Sequence, residues 1–315
     1  MYRRASTETR PAGFTLVELL VVISIIAVLV GILLPVLSSV RKGAKRAATQ
    51  ALMTTVSTAV ENFRTDNQRL PGFFSQEELG NSDNANDAGF TTMENAIIDL
   101  MGGQANGDED VTVDIAGREL NIQFAAIGAS NGPGYLSLGE SSGADGGRIL
   151  SPYQEQAGDP SLRNIPDILD PFGSPLILWI ADSATAATDE YARISSNSAR
   201  AKFYWNANAG VLDSAPFDGE SVLHSSGGSG RVASIEAVTG HPAFPEFPVD
   251  ARNARPAQSK GDFIIQSAGI DRIPLESFGG DIDEAGYIAK GEDPGQLRTT
   301  AAPIEQFDDL ILGGG

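Results

Sequence analysis

The 315 residues contain no cysteine, which excludes disulfides and thiolate metal sites. Histidine is nearly absent. His224 and His241 sit in loop-like sequence, in neither a catalytic triad nor a zinc spacing. Carboxylate pairs such as Asp308-Asp309 are adjacent in sequence and imply no cleft, so we read no enzyme here. Positive charge is scarce, with 22 Lys and Arg against 41 Asp and Glu. The shortage is uneven. Arg3, Arg4, Arg10, Arg41, Lys42, Lys45 and Arg46 face only Glu8 and Glu18 near the start, leaving 15 basic and 39 acidic residues beyond, a net of −24. So acidic a remainder argues against binding nucleic acid or anionic lipid, and it allows divalent cations. With 35 Gly and 17 Pro at 41% hydrophobic content, a globular but loop-rich body is expected.

One long apolar run is present, Leu16 to Leu34. Its 19 residues hold a single charge, Glu18, and one other distinctly polar side chain, Ser24. At ~1.5 Å rise per residue the run is long enough to cross a ~30 Å hydrocarbon layer. Lipid offers the backbone no hydrogen bonds, so the run should be helical. Glu18 costs ~2–3 kcal/mol inside a spanning helix and needs a partner or an interfacial position. A cleaved signal peptide or a plain signal anchor would also use the basic head of Arg3, Arg4 and Arg10. The run is longer than a usual signal core, however, no small-x-small site follows Pro35, and either alternative leaves Glu18 unexplained.

Gly13-Phe14-Thr15-Leu16-Val17-Glu18, followed by an apolar helix containing Pro35, resembles the class III signal of the type IV pilin and type II secretion pseudopilin family. The resemblance implies a leader at 1–13, a cut between Gly13 and Phe14 by a membrane prepilin peptidase, and methylation of the new Phe14 amine. It implies that Glu18 is the counter-charge of that amine on a neighbouring filament subunit. Physics agrees, because removing one partner of a buried ion pair costs ~3–5 kcal/mol. A subunit carrying both charges four residues apart satisfies them by staggered stacking. The family further implies a transmembrane half of the helix at 14–36, an extramembrane half at 37–70 and a periplasmic body at 71–315. The chain would be single-pass in the inner membrane with a cytoplasmic leader. Charge counting alone does not orient it, since four basic residues follow the run.

Beyond Pro35, the residues Ala44, Ala48, Ala51, Leu52, Val56, Ala59, Val60 and Phe63 recur at three- and four-residue steps. We expect one helix from Thr15 to Asp66, ~75–80 Å long by rise, with a kink or melted turn at Gly31 and Pro35. Pro71 closes the helical region, and Asn67 to Pro71 resembles the pseudopilin segment where the long helix turns into its loop. Residues 75–165 read as an insertion with loops at 81–89, 102–110 and 128–147. They also hold a short helix over Met93–Met101 and a hairpin of Val111–Ile115 with Glu119–Phe124 across Ala116-Gly117. Ser142 to Gly146 reads as a plain turn rather than a cation loop. Asp170-Pro171-Phe172-Gly173-Ser174-Pro175 is a turn feeding a buried strand over Leu176–Ile180, and it resembles a turn of the major pseudopilin. A second apolar piece spans Ala201–Trp205, with loops at Ser225–Gly230 and His241–Pro248.

A strand from Asp262 runs into Ser267-Ala268-Gly269-Ile270-Asp271, and Gly279-Gly280-Asp281-Ile282-Asp283 follows. Calcium takes about six to eight oxygens at ~2.3–2.6 Å, which paired acidic clusters can supply. The segment resembles the calcium loop of the major pseudopilin. On that resemblance Asp271 and Asp281 are the leading ligands, joined by Asp283, the Ser267 hydroxyl and carbonyls near Ile265 or Ile273. Arg272 and Pro274 depart from the family's pattern.

The expected fold is α+β and pilin-like, a long N-terminal helix on a small antiparallel sheet with a large loop insertion. The expected function is a structural subunit of a type II secretion pseudopilus. Its partners would be other copies of itself, the prepilin peptidase, minor pseudopilins, a platform protein and an assembly ATPase. The alternatives are a type IV pilus or minor pilin subunit serving adhesion, motility or DNA uptake, or a membrane-anchored surface binding module that forms no filament.

Overall fold

A computed structural model describes residues 16–129, 132–138, 149–186, 188–214, 221, 228–240, 261–274 and 309–314; the side chains of 32–36, 228–230, 233, 234 and 237 lie outside it. α1, Leu16–Asn67, is a single helix of 52 residues. It ends one residue beyond the expected Asp66 and passes Gly31 and Pro35 without a melted turn. The chain divides into two units within α1, between Ala44 and Lys45.

In the first unit every described side chain is exposed. Leu16 is 79% exposed and Leu29 61%, although both belong to the most apolar stretch of the chain. Ser24 returns its hydroxyl to Val21 O at 2.7 Å, so it makes no outward demand.

In the second unit the same helix is amphipathic. Leu52, Met53, Val56, Ala59, Val60 and Phe63 are buried along one stripe. On the other side Thr54, Thr55, Thr58 and Thr65 bond back to carbonyls four residues earlier at 2.8–3.0 Å. Gln68 ends the helix in the left-handed region, φ 55°, with its N–H donating to Arg64 O.

The stretch read as an insertion supplies core rather than loop alone. α2, Gln76–Leu79, carries a capping box from Ser75 and Glu78. A π-turn over Asn84–Ala88 follows, inside the segment expected to be loop. α3, Thr92–Met101, matches the expected short helix and opens on a second capping box from Thr91 and Glu94. Nine of its ten residues are buried, so it is a central element of the body. β1, Val111–Ile115, and β2, Arg118–Ile122, form the expected hairpin, with Ile115 opposite Arg118. Ala116 and Gly117 both take positive φ, the conformation a two-residue type I′ turn requires.

β3, Leu150–Pro152, pairs antiparallel with β4, Pro166–Ile168. β5, Ile177–Ile180, is the expected buried strand. β6, Glu190–Arg193, and β7, Ala201–Tyr204, pair in parallel, a departure from the all-antiparallel expectation. Their connection is held from outside the pair: Ser196 donates its N–H to Gly80 O and its hydroxyl to Glu77 O. α4, Ala209–Leu212, follows. α5, Gly228–Thr239, begins within the expected loop at 225–230 and corrects that reading. β8, Phe263–Ser267, is the centre of a three-stranded antiparallel sheet between β5 and β9, Leu310–Gly314.

That sheet is covered on both faces. Leu178, Ile180, Phe263 and Ile265 face a core that includes the α1 stripe and α3. Ile177, Trp179 and Ile264 face a second core with Phe203, Trp205, Leu212 and Val238. The strand alternation of period two therefore splits one continuous apolar run between two cores. The expected helix-on-sheet arrangement gains a second layer.

Candidate functional site

Gly13 and Phe14 lie outside the described residues, as do Asp281, Asp283, His224 and His241. Glu18 sits exposed in the first turn of α1. A carboxylate there faces the positive end of the helix dipole, a favourable position. Pro35 lies inside the helix. Among the described residues no helix is long and apolar enough to cross a membrane; side chains are described over 16–31 and again from 37.

Around the expected calcium loop, the structure brings Ser267 to a different partner. Its hydroxyl donates to Asp170 Oδ2 at 2.6 Å. Asp170 Oδ1 accepts from Phe172 N–H at 2.8 Å and Ser174 N–H at 3.0 Å, closing the Asp-Pro turn. Burial pushes the Asp170 carboxyl up, against the lowering effect of Ser267 and the turn amides. The Asp-Pro turn and the end of β8, two segments singled out separately in the sequence, thus lock to one another. Asp271 is exposed and accepts from Ile273 N–H at 2.9 Å. Ile265 lies in the central strand, paired with Leu178 and Leu312, so its carbonyl is committed to the sheet. Arg272 takes φ 69° beside Asp271. Ser267 and Ile265 are therefore occupied elsewhere, and among the described residues no three His, Cys, Asp or Glu side chains gather to hold a metal.

Sequence reasoning missed a buried acid pair. Glu94 and Asp167 are 0% and 1% exposed. Glu94 Oε2 accepts from Thr91 N–H at 2.7 Å, and the Gln156 amide nitrogen donates to both Glu94 oxygens at 3.1–3.2 Å and to Gly89 O at 2.9 Å. Burial pushes the Glu94 carboxyl up to about 7, against the pull of these donors. Asp167 is pushed up by burial and by the nearby Glu94 charge; Tyr153 N–H lowers it without a well-formed hydrogen bond. Among the described residues, both Asp167 oxygens and Gln156 Oε1 are buried with no hydrogen-bond partner. The capping-box spacing of Thr91 and Glu94 was the only local signal, and it explains a helix start, not a paired acid 73 residues away in sequence.

A cleft of about 950 Å³ on the body is lined by Arg64, Arg69, Arg118, Asp99, Asp182 and Asp262, among others. Its arginines are engaged. Arg64 pairs with Asp262 at 2.8 Å, and Arg69 and Arg118 pair with Asp99 and Glu78 at 2.7 Å.

Residues 9–34 match the family described as the prokaryotic N-terminal methylation motif. No curated protein and no solved structure matches the chain. The motif implies processing by a prepilin peptidase and assembly into a filament, and it indicates a type IV pilin-like or pseudopilin subunit.

Proposed function

We propose that the chain is a structural subunit of the periplasmic pseudopilus of a type II secretion system, of the major-pseudopilin type. The observation that carries the proposal is the stretch Leu16–Val30, exposed throughout and apolar but for Glu18 and Ser24, inside the matched N-terminal methylation motif. Apolar surface left in water costs ~25 cal/mol per Å². Lipid before assembly, and the helices of other copies after it, are the surroundings that remove this cost. In this proposal 14–36 spans the inner membrane, the leader is cytoplasmic and the body is periplasmic. The Phe14 amine pairs with Glu18 of the next subunit. Minor pseudopilins, a platform protein and an assembly ATPase are the further partners. The lack of cysteine and the acidic body favour secretion over a DNA-handling pilus. The role is structural, and no catalytic residue enters it.

Calcium at the Asp271 loop remains a separate part of the proposal. With Ser267 and Ile265 engaged elsewhere, it rests on Asp271 together with Asp281 and Asp283. Calorimetry of the full chain with and without chelator tests it, and an unchanged melting temperature in Asp271→Asn and parent alike counts against the loop.

Edman sequencing of the mature chain is the primary test, with Phe14 expected as the first residue. Cysteines placed at Val28 and Leu37 are expected to crosslink helix to helix between subunits. A different N-terminus, or a chain that stays monomeric in the membrane, overturns the proposal. Surface fibres formed with protein secretion intact in a deletion strain would move the assignment to a true pilus.

A further inference from the structure

Acid is missing from one long stretch of an acid-rich chain. The protein has 41 Asp and Glu, yet none stands between Glu18 and Glu61. All the positive charge of that stretch is gathered at Arg41, Lys42, Lys45 and Arg46. On a helix, charged side chains find partners three and four residues away. Around Arg41, Lys42 and Arg46 those positions hold no acid, and Arg41 with Lys45 and Lys42 with Arg46 are like-charge pairs four apart. Such pairs weaken a helix.

Arg41, Lys42 and Arg46 are exposed, and among the described residues none of the three pairs with a carboxylate. Elsewhere scarce positive charge is put to use within the chain. Arg64, Arg69, Arg118, Arg193, Arg200 and Arg231 each pair with a carboxylate. Lys45 is held differently from its three neighbours, half-buried with Nζ 5.7 Å from the centre of the Phe172 ring.

Their position on α1 says what meets these charges. The apolar run ends at Leu34, and Arg41 follows ~10 Å further along the helix by rise. Between them Leu37 and Val40 are exposed, so apolar surface continues to the foot of the cations. With the run in hydrocarbon, a headgroup layer of ~5–8 Å comes next. Long Lys and Arg side chains lay their stems along apolar surface and reach such a layer with their charged ends. At ~100° per residue, Arg41, Lys42 and Arg46 fall within ~140° of the helix circumference, so one group of headgroups can meet all three. An anionic surface attracts cations and repels carboxylates, which accounts for the missing acids as well. A neighbouring α1 staggered by a few residues brings no acid to this level, because the same stretch is acid-free in every copy.

We propose that Arg41, Lys42 and Arg46 bind anionic phospholipid headgroups at the membrane surface from which α1 emerges. The inference rests on the membrane span proposed above. The contact sets how far α1 stands out of the bilayer.

The test places the full chain in phosphatidylcholine vesicles and compares spin-labelled phosphatidylglycerol with spin-labelled phosphatidylcholine as its boundary lipid. The parent chain is expected to select phosphatidylglycerol about fivefold, the worth of one Lys or Arg beside an anionic surface. Selection should largely vanish in ~1 M salt, where the screening length is ~3 Å. Arg41→Gln, Lys42→Gln and Arg46→Gln combined should remove most of it, while Arg41→Lys with Arg46→Lys should keep it. A parent chain that stays in the vesicles through an alkaline wash and shows no selection overturns this inference alone, as does selection unchanged in the triple Gln variant. A chain that the wash strips from the vesicles overturns the membrane span, and this inference with it. If the triple variant leaves selection unchanged but lowers crosslinking between copies through cysteines at Val28, the cations serve another copy and the proposal falls.

Discussion

The two halves of α1 use apolar side chains in opposite ways. From Leu16 to Val30 the helix is almost wholly apolar, and the described side chains are exposed. From Lys45 to Asn67 it is threaded with Thr, Gln, Glu and Arg, yet Val56 and Val60 are completely buried. Hydropathy therefore marks where apolar surface is needed, while periodicity marks where the chain itself covers it. A stripe at three- and four-residue steps closes against its own fold. A helix apolar all round has no face to spare for water and looks outside the chain for its cover.

The comparison breaks most readily at Glu18. Glu18→Leu is expected to abolish assembly of the proposed filament, because there a buried Phe14 ammonium without its partner would cost ~3–5 kcal/mol per contact. The melting temperature of the body should not move. Sedimentation of sheared filaments and thermal unfolding of the full chain read the two effects separately. Loss of body stability with assembly intact would reverse the division of labour between the halves.

Phe63→Ala is expected to do the opposite. It empties a buried position in the lower stripe and should destabilise the body by ~3–5 kcal/mol in denaturant unfolding. Processing at Gly13 should continue, as read by the mature N-terminus.

A pH series in chelator sharpens the account of the body. Glu94 has a folded-state pKa raised from 4.5 to about 7. Between those values the native chain holds more protons than the unfolded one, so stability falls as pH rises. The metal-free chain should lose stability from about pH 4.5 to about pH 7 and change little from this group above that. Glu94→Gln should flatten the slope in urea unfolding measured across the series.

A smaller effect is expected at Gln266. It accepts from Trp179 Nε1 at 2.9 Å and donates to Asp309 at 2.7 Å, tying β5, β8 and the last strand together. Gln266→Leu should cost ~1–3 kcal/mol by leaving the Trp179 donor unsatisfied. The smallest effect belongs to the upper helix again. Leu29→Ala should change body unfolding by less than ~0.5 kcal/mol, since the side chain touches no core.

Much of this is legible in the sequence alone. The long helix was readable because nothing breaks its period from Ala44 to Arg69. The hairpin was readable because Ala-Gly sits between two alternating runs, and α3 because its apolar residues recur at helical steps. The methylation motif stood out because a lone acid in an apolar run is costly and therefore informative. What the sequence does not carry is which distant segment each residue meets. Residues 81–89 read as loop because their Gly, Asn and Asp are locally turn-forming, yet Asn84 is buried and bonds Leu79 O and Phe90 O. Ser267, expected near a calcium loop, donates to Asp170 from 97 residues away, a contact no local pattern announces.

The sequence by itself determined the processing signal, the extent of α1 and which of its halves is amphipathic. These follow from charge, spacing and periodicity within a few turns of chain. Only the tertiary structure decided that the central sheet has two covered faces, that the Asp-Pro turn docks on the end of β8, and that Glu94 and Asp167 share one interior. Each of those depends on which distant segments meet. Local composition is silent on that, because burial and the charge of a neighbour are properties of the packed chain.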